Sequence, residues 1–227
     1  MTTAKPRTGP AQLVAILAHE AVDAVIDIGA NTGQYGLMLR REGYAGPIVS
    51  FEPLPGPRVA LAETAAGDPA WRIAPPVALG EAAGRVVIER SAESDMSSIL
   101  RQSPLLETLS PSSAVVERLT VPAARLDEQT ELFDPDWRRL HVKIDVQGYE
   151  PQVLEGCRGL LDRIATIQLE LALRPVYAGE LDWRVMIDRL HELGFAPALV
   201  LPGYFERKIA RMLQLDMVFA REAAGSG

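Results

Sequence analysis

The sequence predicts an α/β fold in which short strands alternate with helices to build a largely parallel sheet. Three observations carry that expectation. Short apolar runs are separated by segments whose apolar residues recur three and four apart. The stretch VIDIGANTGQYG, residues 25–36, reads as a strand, a glycine-rich corner and the start of a helix, the junction at which α/β proteins bind nucleotides. The last two apolar runs have no long helical pattern between them, so the final strand can return antiparallel.

Taken in order, a short helical extension is expected at about residues 10–20, ahead of the first strand in AVIDIG. An amphipathic helix follows at Gly36–Arg41, then a strand in PIVSFEP, a helix in GPRVALAETAAG and a strand in WRIAPPVAL. The rhythm breaks between Gly84 and Asp127, where RVVIERS and VVERLTVPAARLD read as strands flanking the Ser- and Pro-rich segment Ser91–Ser113. A loop of that length is either a lid or substrate surface, or a solvated linker. The pattern resumes with strands in RLHVKIDV and IATIQLELAL, helices in EPQVLEGCRGLLDR and DWRVMIDRLHELGF, and final strands in APALVLP and LQLDMVFAR. The tail at about 222–227 is expected to be disordered, and residues 1–227 to form one domain.

Composition narrows the function. A net charge of −7, with Lys and Arg scattered, argues against a phosphate-backbone footprint, so nucleic acid is not an expected partner. Cys157 is the single cysteine and cannot form an internal disulfide; its apolar helical setting suits a buried small hydrophobe. The sequence shows no apolar core of signal-peptide length and no run approaching the roughly 20 apolar residues that span a bilayer, which points to the cytoplasm. Monomer and homodimer both remain open.

In the first motif, Gly29 and Gly33 allow a sharp turn and close approach of a ligand to the backbone. The dinucleotide fingerprint would place glycines where Asn31 and Gln34 stand, which disfavours a pyrophosphate. Asp27, at the strand end, would repel a phosphate but suits an ammonium group, as on a cofactor with an amino-acid end. Glu52 ends the second strand and can accept from ribose hydroxyls. Ribose is common to both cofactor classes, and for Asp27 and Glu52 a turn cap is the structural alternative.

Strand alternation in HVKIDVQGYE puts His141, Lys143 and Asp145 on one face, Asp145 at the carboxyl end, with Glu170 at the end of the next strand. The two carboxylates with a nearby ammonium could deprotonate a hydroxyl or hold a divalent cation. The plain alternative for Lys143 is a structural ion pair. His141 reads as structural, and His19 and His191 as helix surface.

DIGANTGQYG, FEPLP, ALGEAAG, SSIL, LHVKIDVQGYEPQVLEGC, IQLELAL and LQLDMVFAR, in this order from about Val25 to Arg221, resemble the FkbM family of S-adenosylmethionine-dependent methyltransferases. The resemblance implies the class I methyltransferase architecture: a Rossmann-like three-layer sandwich around a seven-stranded, mostly parallel sheet whose last strand is antiparallel. It implies cofactor contacts at Asp27, Gly29, Asn31, Gly33, Glu52 and Ala78, with Asp27 on the ammonium side of the methionine end. Asp145 would lie beside the methyl group and the acceptor; the strand reading above adds Lys143 and Glu170 to the expected catalytic set. The implied reaction is O-methylation of a sugar, a glycosylated compound or a polyketide-like small molecule, with S-adenosylmethionine as cofactor and a divalent cation as an option. The rivals are an NAD-dependent oxidoreductase and a noncatalytic S-adenosylmethionine-binding protein.

Overall fold

Every residue of β1 (Ala24–Ile28) is buried, as expected of a central strand covered on both faces. A computed structural model describes residues 8–92 and 94–222, apart from the side chain of Ser112; the tail beyond Glu222 lies outside the described residues. Helix α1 spans Gly9–His19 ahead of β1; its N-cap Thr8 accepts from the Ala11 N–H at 3.3 Å.

From β1 the chain runs through α2 (Gln34–Arg41), β2 (Ile48–Phe51), α3 (Pro55–Ala65) and β3 (Trp71–Ile73). Next come β4 (Ala78–Leu79), β5 (Gly84–Ser91), α4 (Pro104–Leu109) and β6 (Val115–Ala124). Then follow β7 (Leu140–Ile144), α5 (Glu150–Glu155), β8 (Ile164–Ala172), α6 (Trp183–Glu192) and β9 (Phe195–Pro202). A two-residue ribbon, β10 (Phe205–Glu206) with β11 (Arg211–Met212), turns the chain back into β12 (Gln214–Arg221).

The main sheet has seven strands in the order β3-β2-β1-β7-β8-β12-β9. β12 is inserted between β8 and β9 and runs antiparallel to both, so the seven-stranded sheet with an antiparallel last strand is present. A second, three-stranded sheet, β4-β6-β5, flanks it.

The two faces of the main sheet carry different chemistry. On the face under α5 and α6, Ile26, Ile28, Val142, Ile144, Ile167 and Phe219 join one apolar cluster. On the opposite face Val25, Ile48 and Val218 pack against α1–α3 through Leu13, Leu17, Leu39 and Leu61. Here β1–β7 register pairs Val25 with His141 and Asp27 with Lys143, and β7–β8 register pairs Lys143 with Gln168. A polar stripe therefore crosses the centre of this otherwise apolar face.

Two elements depart from expectation. WRIAPPVAL is two strands in two sheets, because Pro75 and Pro76 cannot donate to a ladder and the chain changes sheet there. EPQVLEGCRGLLDR breaks at Gly156 into α5 and a 3₁₀ segment at Arg158–Arg163. A Cβ on Gly156 would lie 2.1 Å from the Gly80 carbonyl oxygen, so the main chains meet at that glycine. Cys157 is buried as expected, its thiol pushed up to about 12 by burial. His19 and His191 are exposed on α1 and α6.

Candidate functional site

The corner after β1 is built on backbone angles that few residues accept. Gly29 has φ +76°, and a Cβ there would lie 1.8 Å from the carbonyl oxygen of Asp145. Asn31, at φ +47°, occupies the left-handed region that Asn tolerates. Its N–H donates to Glu52 Oε2 at 2.9 Å, while the Leu54 N–H donates to Glu52 Oε1 at 2.8 Å. One carboxylate at the tip of β2 thus ties two loops together. Burial pushes the Glu52 carboxyl up, against the pull of those two amides.

A cavity of about 630 Å³ opens over these strand tips, within the roughly 300–1,000 Å³ usual for small-molecule sites. Over β1 and β2 its wall is an apolar slot edged by Glu52, with Leu54, Ala78, Leu79, Ile88 and Ile99 around it. Over β12 and β9 the wall is Asp216, Leu201 and Pro202, closed by Gly9 and Pro10 at the start of α1. Asn31, Gln34, Tyr35, Lys143, Asp145 and Gln168 also line it.

Lys143 organises the polar stripe. Its Nζ is 3.4 Å from Asp27 Oδ1 and 3.2 Å from Asp145 Oδ2, and it donates to the Gly29 carbonyl at 3.3 Å. Burial alone would lower this ammonium; Asp145, Asp27 and Asp216 outweigh it and hold the group above its ordinary value. The Asp27 carboxyl is pushed up by complete burial, although Lys143 and Ser50 both pull it down.

Alongside, wholly buried His141 sets Nδ1 2.8 Å from Thr166 Oγ1 and Nε2 2.8 Å from the Tyr35 hydroxyl. Burial and the nearby Lys143 push His141 down to about 3, which leaves it neutral and structural. The Tyr35 hydroxyl donates to Gln168 Oε1 at 2.8 Å, and Gln168 Nε2 donates to Asp216 Oδ1 at 3.2 Å. Burial, then the charge of Asp145, push Asp216 up to about 6.

Gln147, at φ +59°, sets its amide between two strand tips. Its Nε2 donates to Asp145 Oδ1 at 2.9 Å and to Glu170 Oε2 at 2.8 Å. Its Oε1 accepts from the Tyr177 hydroxyl at 2.8 Å. Gln214 Nε2 donates to the same Glu170 oxygen at 2.8 Å, and burial followed by the Asp145 charge pushes the Glu170 carboxyl well up.

Several expected site residues move. Asp27 does not line the cavity; it is wholly buried beneath the corner, facing Lys143 and accepting from the Ser50 hydroxyl at 3.2 Å, because an unpaired buried carboxylate would be costly. Gly33 also lies off the cavity: it starts α2 at φ +89°, and a Cβ there would press on Thr64 and Leu61 of α3. Glu170 stands behind Gln147, outside the cavity wall. The Gln147 amide fills the place where a cation would bridge Asp145 and Glu170, and an NH₂ group repels a metal ion. Among the described residues no group of three or more His, Cys, Asp or Glu could hold one. Gly29, Asn31, Glu52, Ala78, Lys143 and Asp145 do line the cavity, and Lys143 is at once a cavity residue and a structural pair.

Sequence reasoning missed Tyr35, Gln147, Gln168 and Asp216. Gln214 and Asp216 alternate with apolar residues in QLDMV, as Gln168 and Glu170 do in IQLEL. That signal marks a polar face without saying what it faces.

The segment after β5 contributes Ser94, Asp95, Ser97, Ser98 and Ile99 to the cavity wall. The Ser94 hydroxyl donates to Asn31 Oδ1 at 3.1 Å and the Ser98 hydroxyl to the Gln147 carbonyl at 2.6 Å. Its second half is core: Leu106 and Leu109 of α4 pack with Val176, Tyr177 and Leu213.

No helix among the described residues is long and apolar enough to cross a membrane. No curated protein matches the sequence. The fold is similar to that of an rRNA methylase from Streptococcus thermophilus, with a TM-score of 0.50 and 9% identity over 97% of this chain and 100% of that one. It is also similar to magnesium protoporphyrin IX methyltransferase from Synechocystis PCC 6803 with bound S-adenosylhomocysteine, with a TM-score of 0.50 and 10% identity over 94% of this chain and 82% of that one. These likenesses show the fold, and the family model of the methyltransferase FkbM domain matches residues 27–197. The chain therefore belongs to the FkbM family of S-adenosylmethionine-dependent methyltransferases.

Proposed function

We propose that the protein transfers a methyl group from S-adenosylmethionine to a hydroxyl oxygen of a small molecule, a sugar, glycosylated compound or polyketide-like scaffold. The observation that carries this reading is the charge of the cavity. Among the described lining residues, Asp145 and Asp216 face it beside Gln168, and its one Lys or Arg, Lys143, is already engaged with carboxylates. Such a wall accepts hydrogen bonds from hydroxyls and repels phosphate or carboxylate. The apolar surface of Leu201, Pro202 and Pro10 suits the body of an amphipathic acceptor.

The residues present fit the cofactor. Glu52 offers a buried carboxylate whose remaining lone pairs can accept from ribose hydroxyls, and Leu54, Ala78, Leu79 and Ile88 form the dry slot an adenine needs. Asn31 and the free N–H groups of the first turn of α2 suit a carboxylate. Asp145, whose side chain is 34% exposed, offers the open anion for the cationic end, in place of the buried Asp27.

When bound, S-adenosylmethionine supplies a methyl group on a sulfonium, a reactive electrophile. The chain's own task is to hold an acceptor oxygen in line behind that methyl, a positioning contribution that can reach roughly 7–11 kcal/mol. Lys143 and Gln147 each donate to one oxygen of Asp145, fixing the carboxylate so that its remaining lone pairs can orient the acceptor hydroxyl.

Titration calorimetry with S-adenosylmethionine, followed by methyl transfer to a panel of alkyl glycosides and macrolactones with NMR location of the new methyl, tests this reading. O-methylation of a panel member supports it. Binding without turnover on any member, or methylation at nitrogen or carbon alone, overturns it.

A further inference from the structure

Resting on the O-methylation reading, we propose that Asp216, not Asp145, takes the proton from the acceptor hydroxyl. The two carboxylates differ in what already holds them. Both oxygens of Asp145 are engaged, Oδ2 beside Lys143 at 3.2 Å and Oδ1 by Gln147 at 2.9 Å. Each Asp145 oxygen therefore already has a donor in place. Asp216 faces the same cavity with a single donor, Gln168 Nε2 at 3.2 Å on Oδ1; among the described residues Oδ2 has none. Its register partners are Glu170 on β8 and Leu201 on β9, so it stands at the carboxyl edge of the sheet on the side away from the Glu52 slot. An acceptor resting on Leu201, Pro202 and Pro10 would present a hydroxyl between Asp145 and Asp216.

Burial, chiefly, and the charge of Asp145 raise Asp216 to about 6, close to the optimum for a base working near neutral pH. The other titratable groups around it are Lys143 on β7, Asp145 just beyond its end, Glu170 on β8 and Tyr35 on α2; β9 and α1 present only Leu201, Pro202, Gly9 and Pro10 to the cavity. Tyr35 is raised well above its ordinary value and remains a neutral donor. In the step itself, the hydroxyl O–H bond breaks and its proton passes to Asp216 Oδ2. The oxygen keeps that electron pair and forms the new C–O bond. The C–S pair leaves on sulfur, which becomes a neutral thioether.

The test uses the full chain and an acceptor that the glycoside and macrolactone panel shows to be O-methylated. Wild-type kcat/KM should rise with pH through about 6 as Asp216 ionises. Asp216→Asn should lower kcat by at least about 100-fold, the lower end for a lost general base. It should also abolish that acid limb, keep S-adenosylmethionine affinity within about twofold by calorimetry, and keep the far-ultraviolet spectrum. Glu170→Gln should keep the limb. A limb that survives in Asp216→Asn, or one that disappears in Glu170→Gln, overturns the assignment and leaves O-methylation standing. A panel with no O-methylated member, while the cofactor binds, overturns the O-methylation reading and this assignment with it.

Discussion

Replacing Lys143 with Met tests the account of the polar stripe most directly. Lys143 is the one cation facing Asp27, whose carboxylate is wholly buried and whose Oδ1 has no hydrogen-bond donor in the described structure; the Ser50 hydroxyl serves only Oδ2. Removing one partner of such a buried pair costs about 3–5 kcal/mol. The remaining carboxyl can escape part of that cost by staying protonated, which costs about 1.4 kcal/mol for each pH unit above its ordinary value of about 3.9. The deficit against wild type should therefore reach at most about 4 kcal/mol at pH 7 and about 2 kcal/mol at pH 5.5, since the raised wild-type Asp27 carboxyl already bears part of that cost. The sign follows from linkage. A carboxyl whose folded pKa lies above its unfolded one contributes its full stability below the unfolded value and loses it as pH rises to the folded value. Urea unfolding followed by circular dichroism at the two pH values measures the difference, and a melting temperature lower by roughly 8–16 °C at pH 7 is its thermal counterpart. Adding Asp27→Asn removes the stranded charge and should recover most of the loss. A deficit below about 1 kcal/mol at pH 7, less than a broken buried pair costs, a deficit equal at both pH values, or no recovery in the double variant would refute the reasoning.

Glu52→Ala should weaken S-adenosylmethionine binding by about 1.5–3 kcal/mol, the worth of hydrogen bonds to a charged group. Calorimetry reads this directly, and unchanged affinity removes Glu52 from the site. Glu150 Oε1 accepts from the Val146 and Gly148 N–H groups, and burial pushes its carboxyl up to about 8. Wild-type stability should therefore fall relative to Glu150→Gln as pH rises from about 4.5 to 8, by up to about 1.4 kcal/mol per unit, and run parallel above that; parallel curves throughout would count against it. Asp95→Ala should raise the acceptor KM by about 2- to 12-fold, one hydrogen bond's worth, and spare cofactor affinity. Equal loss of both would make the segment a cofactor element.

The order of elements was legible because periodicity changes sharply at each junction, as at Ile28–Gly29 and Phe51–Pro53. So was the antiparallel return, since no helix fits between Pro202 and Gln214. Asp145 and Glu52 were legible as cavity residues because strand ends place them at the carboxyl edge, where ligands bind in such sheets, whereas Ala78, at the start of β4, came only through the family resemblance. Asp27 was misplaced for a reason of the same kind. A strand pattern gives its face and height but not its neighbour, and the neighbour, Lys143, lies 116 positions away in sequence. The amide of Gln147 was invisible because it depends on a left-handed backbone angle and on Tyr177, which arrives from beyond β8. The segment Ser91–Ser113 read only as a lid, a substrate surface or a solvated linker, yet Leu106 is fully buried there and joins a core cluster, which Ser-rich composition does not signal.

The contact between Gly29 and the Asp145 carbonyl has a consequence for how this scaffold can diversify. With no room for even a methyl group between the two strand tips, neither can be remodelled without displacing the other. Mutational drift that retargets the enzyme is thus channelled away from β1 and β7. It falls instead on the Ser94–Ile99 rim and on the wall formed by α1 and β9, which can change shape and polarity while the reaction coordinate keeps its alignment. Libraries meant to alter acceptor choice should be confined to those two borders, and variants recovered from them should share one cofactor affinity.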